Sequence, residues 1–414
     1  MSRCLGARAA LPLALALASA SLPSLARAAG FELADQSVVA AGAGGTGTAR
    51  QSDPAAAWYN PAAQADGAGF RGSAALILAI PRITAKSTQD ALAPSDQPTT
   101  NDLNVATPFA LNLGYAWGRW AVGLYAGTSH GVTVDWPAGW WGRFDIVSSS
   151  LRVVRMAPSA AVRIGHLRLG VGVHVDYASM ELKRALDFVD SEGSSHLRLG
   201  GISAGADASL WMEATPTLAL GLTYQSRTVI DLHGDADFSN VPDSFAGHAP
   251  DQHVSSSLTL PDRFALGVAH QRGRLALFAD VTVTLWSVRE TLKLDFENPN
   301  TPDVVEPQRW RESFSVHGGV EGAVSERIHL RGGAFYDHQA APADTLAASG
   351  PDMARIGLTV GGSVQLHRTL AADISYSLAF LLPRESTSPD AIPAAYSGQV
   401  HMIGVAFRAA NPPR

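Results

Sequence analysis

The sequence predicts an all-β fold, a 14-stranded antiparallel transmembrane β-barrel with an N-terminal hatch (plug) inside the lumen. Three observations point there. Apolar and polar residues alternate with a period of two in segment after segment, the mark of strands with two different faces. The connections between these segments are alternately short and long. Finally, 46% of the 414 residues are hydrophobic and only 16% are charged, against about 25% charged in an ordinary soluble domain. Yet no run after residue 28 approaches the roughly 20 apolar residues of a spanning helix. Such apolar content excludes disorder, and the 39 glycines follow no collagen period.

Residues 1–28 read as a secretory signal peptide. Arg3 and Arg8 form a basic start, Ala9 to Leu22 an apolar stretch, and Ala26-Arg27-Ala28 a small-x-small cleavage site. Cys4, the single cysteine, lies within it. Cleavage therefore leaves no disulfide and no cysteine metal site. It also removes Arg3, Arg8 and Arg27 from a chain whose formal charge is already −6, so a basic nucleic-acid footprint is absent.

Residues 29–68 do not alternate. Their small-residue runs, Val38 to Ala49 and Ser52 to Ala63, include Gly42, Gly44, Gly45 and Gly47. A dinucleotide loop would need a preceding strand and a distant acidic residue, and neither is present. Small residues permit close backbone packing in a confined space. Fourteen strands enclose a lumen wider than side chains alone can fill, so this segment is the expected plug.

The barrel is expected over residues 69–408, with 409–414 as a C-terminal tail. Fourteen segments alternate, at about 69–80, 107–117, 119–129, 151–164, 166–182, 197–213, 217–236, 254–270, 274–296, 310–324, 326–337, 354–366, 369–382 and 396–408. Leu167 to Tyr177 is the cleanest, with apolar residues at every odd position. Six connections are tight: Gly118, Gly165, Thr215-Pro216, Gln271-Arg272-Gly273, Ser325 and His367-Arg368. The others are long, as in an outer-membrane barrel with short periplasmic turns and long external loops. A soluble propeller would repeat every 40–50 residues or so, and a sandwich would not segregate its loops. The apolar phase changes within 274–296, which predicts a β-bulge near Trp286 to Glu290. The last strand, Ile403, Val405 and Phe407, ends on an aromatic residue and resembles a signal for the barrel-assembly machinery.

Several motifs carry a family resemblance. The mature start Ala29-Gly30-Phe31, the glycine-rich run and Asp53-Pro-Ala-Ala-Ala-Trp-Tyr-Asn-Pro-Ala62 resemble the outer-membrane long-chain fatty acid transporter (FadL/TodX) family, whose hatch ends in an Asn-Pro-Ala motif like Asn60-Pro61-Ala62. Leu222-Thr-Tyr-Gln-Ser226 and Leu258-Thr-Leu-Pro-Asp262 are similar to its later strands. The resemblance implies a passive outer-membrane transporter (channel) for hydrophobic compounds, most simply long-chain fatty acids, with aromatic hydrocarbons as the alternative within the family. It also implies a hatch that rearranges, and a gap in the wall beside an inward-bent strand. Asn60, Pro61 and Ala62 are then the hatch hinge, and Phe31 lies near the ligand.

Other candidates come from the residues themselves. Trp136, Trp140, Trp141 and Phe144 crowd one long loop; they suit either a hydrophobic landing site or the aromatic girdle of any barrel. By strand parity Arg155, Arg168, His174, Asp176, Arg227 and Asp231 face inward. Of these, Arg155 and Arg227 are candidates to contact a carboxylate head group, against solvation of a polar lumen. No catalytic motif, metal spacing or cofactor site is found, so no enzyme activity and no cofactor is expected. The expected surroundings are hydrophobic small molecules and outer-membrane lipid, with a monomeric barrel. A nonspecific porin, a lipid hydrolase and an adhesin are the rival readings.

Overall fold

The computed structural model describes residues 30–51, 53–65, 67–89, 93, 97–389 and 391–411. The expected signal peptide, residues 1–28, and residues 412–414 lie outside the described residues. Fourteen antiparallel staves form the wall. They are β1 (Gly69–Ser87), β2 (Phe109–Trp117), β3 (Trp120–Asp135), β4 (Ser148–Ile164), β5 (Leu167–Asp187), β6 (Glu192–Thr215) and β7 (Leu218–Gln225 and Thr228–Ser239). Then follow β8 (Gln252–Leu260 and Arg263–Arg272), β9 (Leu275–Thr284 and Thr291–Phe296), β10 (Val304–Pro307 and Ser313–Ala323), β11 (Ile328–Asp337), β12 (Arg355–His367), β13 (Leu370–Glu385) and β14 (Ala394–Ala410). Each stave pairs with its sequence neighbours, and β1 closes the ring on β14 from Arg71↔Ala410 to Ser87↔Ala394. The six tight turns fall where the sequence places them. Tyr115, Trp117 and Trp120 are exposed at that end, as an interfacial girdle requires.

Four consecutive staves, β7 to β10, are interrupted: at Ser226-Arg227, at Pro261-Asp262, over residues 285–290 and over residues 308–312. The expected bulge near Trp286 to Glu290 is thus a short inward excursion containing a 3-10 turn, Trp286–Val288. Asp262 stitches the first two breaks together. Its Oδ1 accepts from Tyr224 Oη at 2.7 Å and from the Arg227 N–H at 3.1 Å. Two family-like motifs therefore meet at this point.

The break in β7 corrects an expectation. Below it, odd residues such as Thr223 face in; above it, Ile230 and Leu232 are buried while Val229 is exposed. One irregular pair reverses the parity, so Arg227 and Asp231 face outward rather than into the lumen.

A second reversal needs no break. On β5, Val171, Val173 and Tyr177 are exposed at odd positions toward lipid, whereas Ala178 and Met180 are buried at even positions. The chain keeps its parity, but the apolar face moves from outside to inside. β5 and β6 run for 21 and 24 residues, well beyond the about 9–11 that cross a bilayer. Their upper parts stand beyond the lipid, where the exterior is wet and the interior can be apolar.

Residues 30–65 make no stave and lie within the ring. Every described residue from Gln36 to Ala65 except Gln51 is buried. The segment holds α1 (Val38–Ala41), α2 (Ala56–Tyr59) and a 3-10 turn, Pro61–Ala65. Ser37 Oγ caps α1 and donates to Asp53 Oδ2 at 2.8 Å, while Asp53 Oδ1 accepts from the Ala55 N–H at 3.0 Å. This carboxylate thus joins the two short helices. Gly44, at φ +74°, presses backbone to backbone on the wall: a Cβ there would lie 2.3 Å from Gly318 O. A Gly44→Ala variant is expected to lose about 1–3 kcal/mol, read as a lower melting temperature in detergent and faster proteolysis of the plug. Gly247→Ala, with nothing within 4 Å, should leave both unchanged.

Candidate functional site

The upper, apolar interior is the candidate ligand compartment. Leu151, Met180, Leu199, Leu232 and Leu258 contribute from β4 to β8, and the plug contributes Phe31. Phe31 sits in a cage built by the two excursions of β9 and β10. Its ring lies 4.9 Å from Trp286 and 5.9 Å from Trp310, with His130 of β3 at 5.8 Å. Arg289 completes the cage, its guanidinium 5.0 Å from the Phe31 ring and 4.8 Å from the Trp310 ring.

Arg289 has no ion-pair partner among the described residues. One Nη donates weakly to Gln308 Oε1 at 3.4 Å, and the buried Nε has no hydrogen-bond partner. An unpaired guanidinium against aromatic faces is a receptor for an anionic oxygen. The sequence candidates do not have this property. Arg155 makes a two-pronged pair with Asp176, both at 2.8 Å, and is buried, so its charge is already matched. Arg227 is largely exposed and pairs with Asp262 at 3.2 Å. Neither is free to receive a head group. The phase change at residues 286–290 is the available signal for Arg289: an arginine at the point where the segment leaves the ladder.

The wall is incomplete at one place. β2 and β3 pair from Trp117↔Trp120 to Ala110↔Gly127. Their next bond is Asp102 N–H to Asp135 O at 2.7 Å. Between these points residues 103–109 make no described backbone bond to residues 128–134. β3 bends inward here, with a bulge at Ser129 in its pairing with β4. Thr128, Ser129 and His130 are all buried. The plug takes the place of β2: Leu33 N–H donates to Ser129 O at 3.0 Å, and Gly131 N–H donates to Phe31 O at 2.8 Å. Glu32 faces His130 in that short ladder and pairs with Arg263 of β8 at 2.6 Å. The sequence did not locate this bend; the polar triplet Thr128-Ser129-His130 interrupting an apolar strand marks it.

Asn60-Pro61-Ala62 lies where the plug meets β5 and β6. Asn60 Nδ2 donates to Thr48 O at 2.8 Å and to Leu210 O at 3.0 Å. Ala62 N–H donates to Ser209 Oγ at 2.9 Å. The Ala62 backbone lies against Gly170, whose Cβ, if present, would be 2.5 Å from Ala62 N. Asn60 supplies the polar tie and Ala62 the small contact, while Pro61 starts a turn that needs no donor there.

The tryptophan loop differs from the expected exposed surface. Trp136 and Trp140 are 2% and 3% exposed. They stack at 4.6 Å and form the core of a lid with Leu346, Met353 and Tyr396. Trp136 Nε1 donates to Ala348 O at 3.1 Å, a partner over 200 residues away. Only Phe144, with Arg143 over its ring, is exposed; Trp141 is half-buried. Burial and Glu306 push the Asp145 carboxyl in this loop up to about 6. Its ionisation as pH rises through that value opposes the packed lid.

Comparison with known proteins completes the picture. A search of curated sequences finds no match. Among solved structures, a Pseudomonas aeruginosa FadL homologue superposes with a TM-score of 0.81 at 20% identity, covering 92% of this chain and 99% of that one. The Pseudomonas putida toluene transporter TodX gives 0.73 at 17% identity over 92% and 99%. The Ralstonia pickettii toluene transporter TbuX gives 0.68 at 23% identity over the same shares. The family described as outer membrane protein transport protein (OMPP1/FadL/TodX) matches residues 19–409. The chain, with its closed 14-stranded wall and internal plug, therefore belongs to the OMPP1/FadL/TodX family of outer-membrane transporters of hydrophobic compounds.

Proposed function

We propose that the hydrophobic compound is a long-chain fatty acid, held by its carboxylate at Arg289 and by its chain in the apolar compartment, and released sideways between β2 and β3. The observation that carries this reading is the unpaired Arg289 guanidinium inside an aromatic cage. Chain burial supplies the affinity, at about 0.8 kcal/mol per CH₂. The head-group contact supplies orientation and selection.

Phe31 links the two parts of the site. Its side chain occupies the cage and its carbonyl holds Gly131 of the bent strand. A ligand that takes the place of the ring draws the short plug strand away from Ser129 and Gly131. The unpaired stretch of wall, whose lower end is level with the Tyr177–Ala178 boundary between lipid and water, then opens outward, where Leu103 and Val105 stand exposed. The aromatic cage of Trp286 and Trp310 also suits a second reading, an aromatic hydrocarbon, which has no use for the guanidinium.

Two experiments test the reading. In a transporter-null host, Arg289→Met is expected to weaken oleate binding and uptake about tenfold, the value of one charge-assisted hydrogen bond, while toluene uptake is unchanged. Equal oleate uptake by the variant and the wild type rules out the head-group role; uptake of toluene alone by the wild type supports the second reading. The second experiment uses the absence of cysteine after the signal peptide. Glu32 and His130 face each other as a non-hydrogen-bonded antiparallel pair, the spacing a disulfide requires. An oxidised Glu32→Cys/His130→Cys protein should lose uptake and regain it with reductant. Full uptake in the oxidised state would exclude release through this gap.

A further inference from the structure

Four polar ties hold the glycine-rich turn of the plug, residues 44–50, to β9–β12. Asp280 of β9 accepts the Gly47 and Thr48 N–H groups at 2.8 and 2.9 Å. Glu321 of β10 pairs with Arg50 of the plug and with Arg331 of β11. Thr359 of β12 accepts the Gly44 N–H at 2.8 Å. The fourth is His317 of β10, and its geometry is different in kind.

His317 is buried, with Phe335 stacked on it at 5.3 Å. Nδ1 lies 2.6 Å from Gly44 O, and Nε2 lies 3.0 Å from Asp337 Oδ1. A carbonyl oxygen only accepts. The Asp337 carboxylate also only accepts, because its second oxygen takes the Arg355 Nε–H at 2.7 Å. A neutral imidazole carries one N–H and satisfies one such partner; only the imidazolium satisfies both.

We propose that His317 is a proton-operated latch: its imidazolium pins the glycine turn of the plug to the wall, and loss of one ring proton releases that turn. The proton that remains stays toward the Asp337 carboxylate, where the hydrogen bond is charge-assisted. Nδ1 then presents a lone pair to Gly44 O, and a tie becomes a repulsion. The charged groups facing the ring are Asp337 of β11, Arg355 of β12, Asp280 of β9 and Asp35 of the plug. Histidine is the side chain that ordinarily titrates within or near the span from pH 6 to 9. A small cavity of about 30 Å³ beside the plug is lined by His317, Asp337, Arg355, Thr48 and Tyr59. It is large enough to hold water beside the ring.

The latch is separable from the choice of cargo, since its test uses no ligand. Amide exchange of the plug peptide covering residues 38–50 is measured on the full barrel in detergent micelles from pH 6 to 9, corrected for the intrinsic chemistry of exchange. Wild type should lose about tenfold in protection across that span, the expected effect of one charge-assisted hydrogen bond. His317→Gln, which has one donor group and no titration, should show the same protection at both ends. Heat-modifiable migration on gels establishes that the variant barrel is folded. Should it not fold, long-range proton–nitrogen spectra of the histidine rings in the wild type decide the matter: both His317 nitrogens should carry protons at pH 6 and one should lose its proton by pH 9. A ring that is neutral at pH 6, or still doubly protonated at pH 9, overturns the latch. So does wild-type protection that does not change with pH, or that changes as it does in His317→Gln.

Discussion

A backbone in lipid must find all its hydrogen-bond partners within the protein, and the rest of this structure follows from how that demand is met. The ring satisfies it by closing β1 on β14. It fails to satisfy it along the upper part of β3, where β2 lets go after Ala110. There the strand bends inward, and the plug supplies the missing partner through Phe31 and Leu33. The plug is thus part of the wall as well as its stopper. Removing those residues from β3 leaves Ser129 O and Gly131 N–H without partners at the bend.

The compartment obeys a related rule. Below, lipid lies outside and the small-residue plug fills the inside, so large apolar side chains point out. Above, water lies outside, and the apolar side chains turn in. The same stave carries both arrangements, as β5 does across Tyr177 and Ala178. Under the proposed function an apolar ligand moves from water into this upper interior, whose contact with the plug is an aromatic cage rather than a charged seam. The charged ties sit elsewhere, on β9 to β12, where Asp280, His317 and Glu321 hold the glycine-rich turn.

Much of this was legible in the sequence because a strand has only one period. Alternation located the staves, and glycine-marked turns such as Gly118 and Gly165 set their order. Parity placed Arg155, Arg168, His174 and Asp176 inside, where they are buried. It failed at Arg227 and Asp231, since a two-residue break reverses every later side chain. Alternation also cannot say whether an apolar face meets lipid or an enclosed cavity, so the upper interior went unseen. The site was harder. Trp136 reads as exposed until Ala348 covers it, and Arg155 reads as free until Asp176 is found beside it. Arg289 stands out because no carboxylate among the described residues pairs with it, an absence that no local pattern records. Asn60-Pro61-Ala62 was legible as a unit, but its partners Leu210 and Ser209 are supplied by a stave some 150 residues away.

The breaks in β7 to β10 stand side by side, and Asp262 bridges two of them. Below this belt the ladders are continuous, whereas above it β8 and β9 pair only at Val254↔Phe296 and Ser255↔Asp295. A load applied to the outer loops therefore meets its softest element at this line. The compliant quarter of the cylinder is the one that carries the cage residues Trp286, Arg289 and Trp310. Mechanically, the protein is a stiff hoop with a pliable rim, and the upper chamber can change volume while the lipid-embedded hoop keeps its circumference.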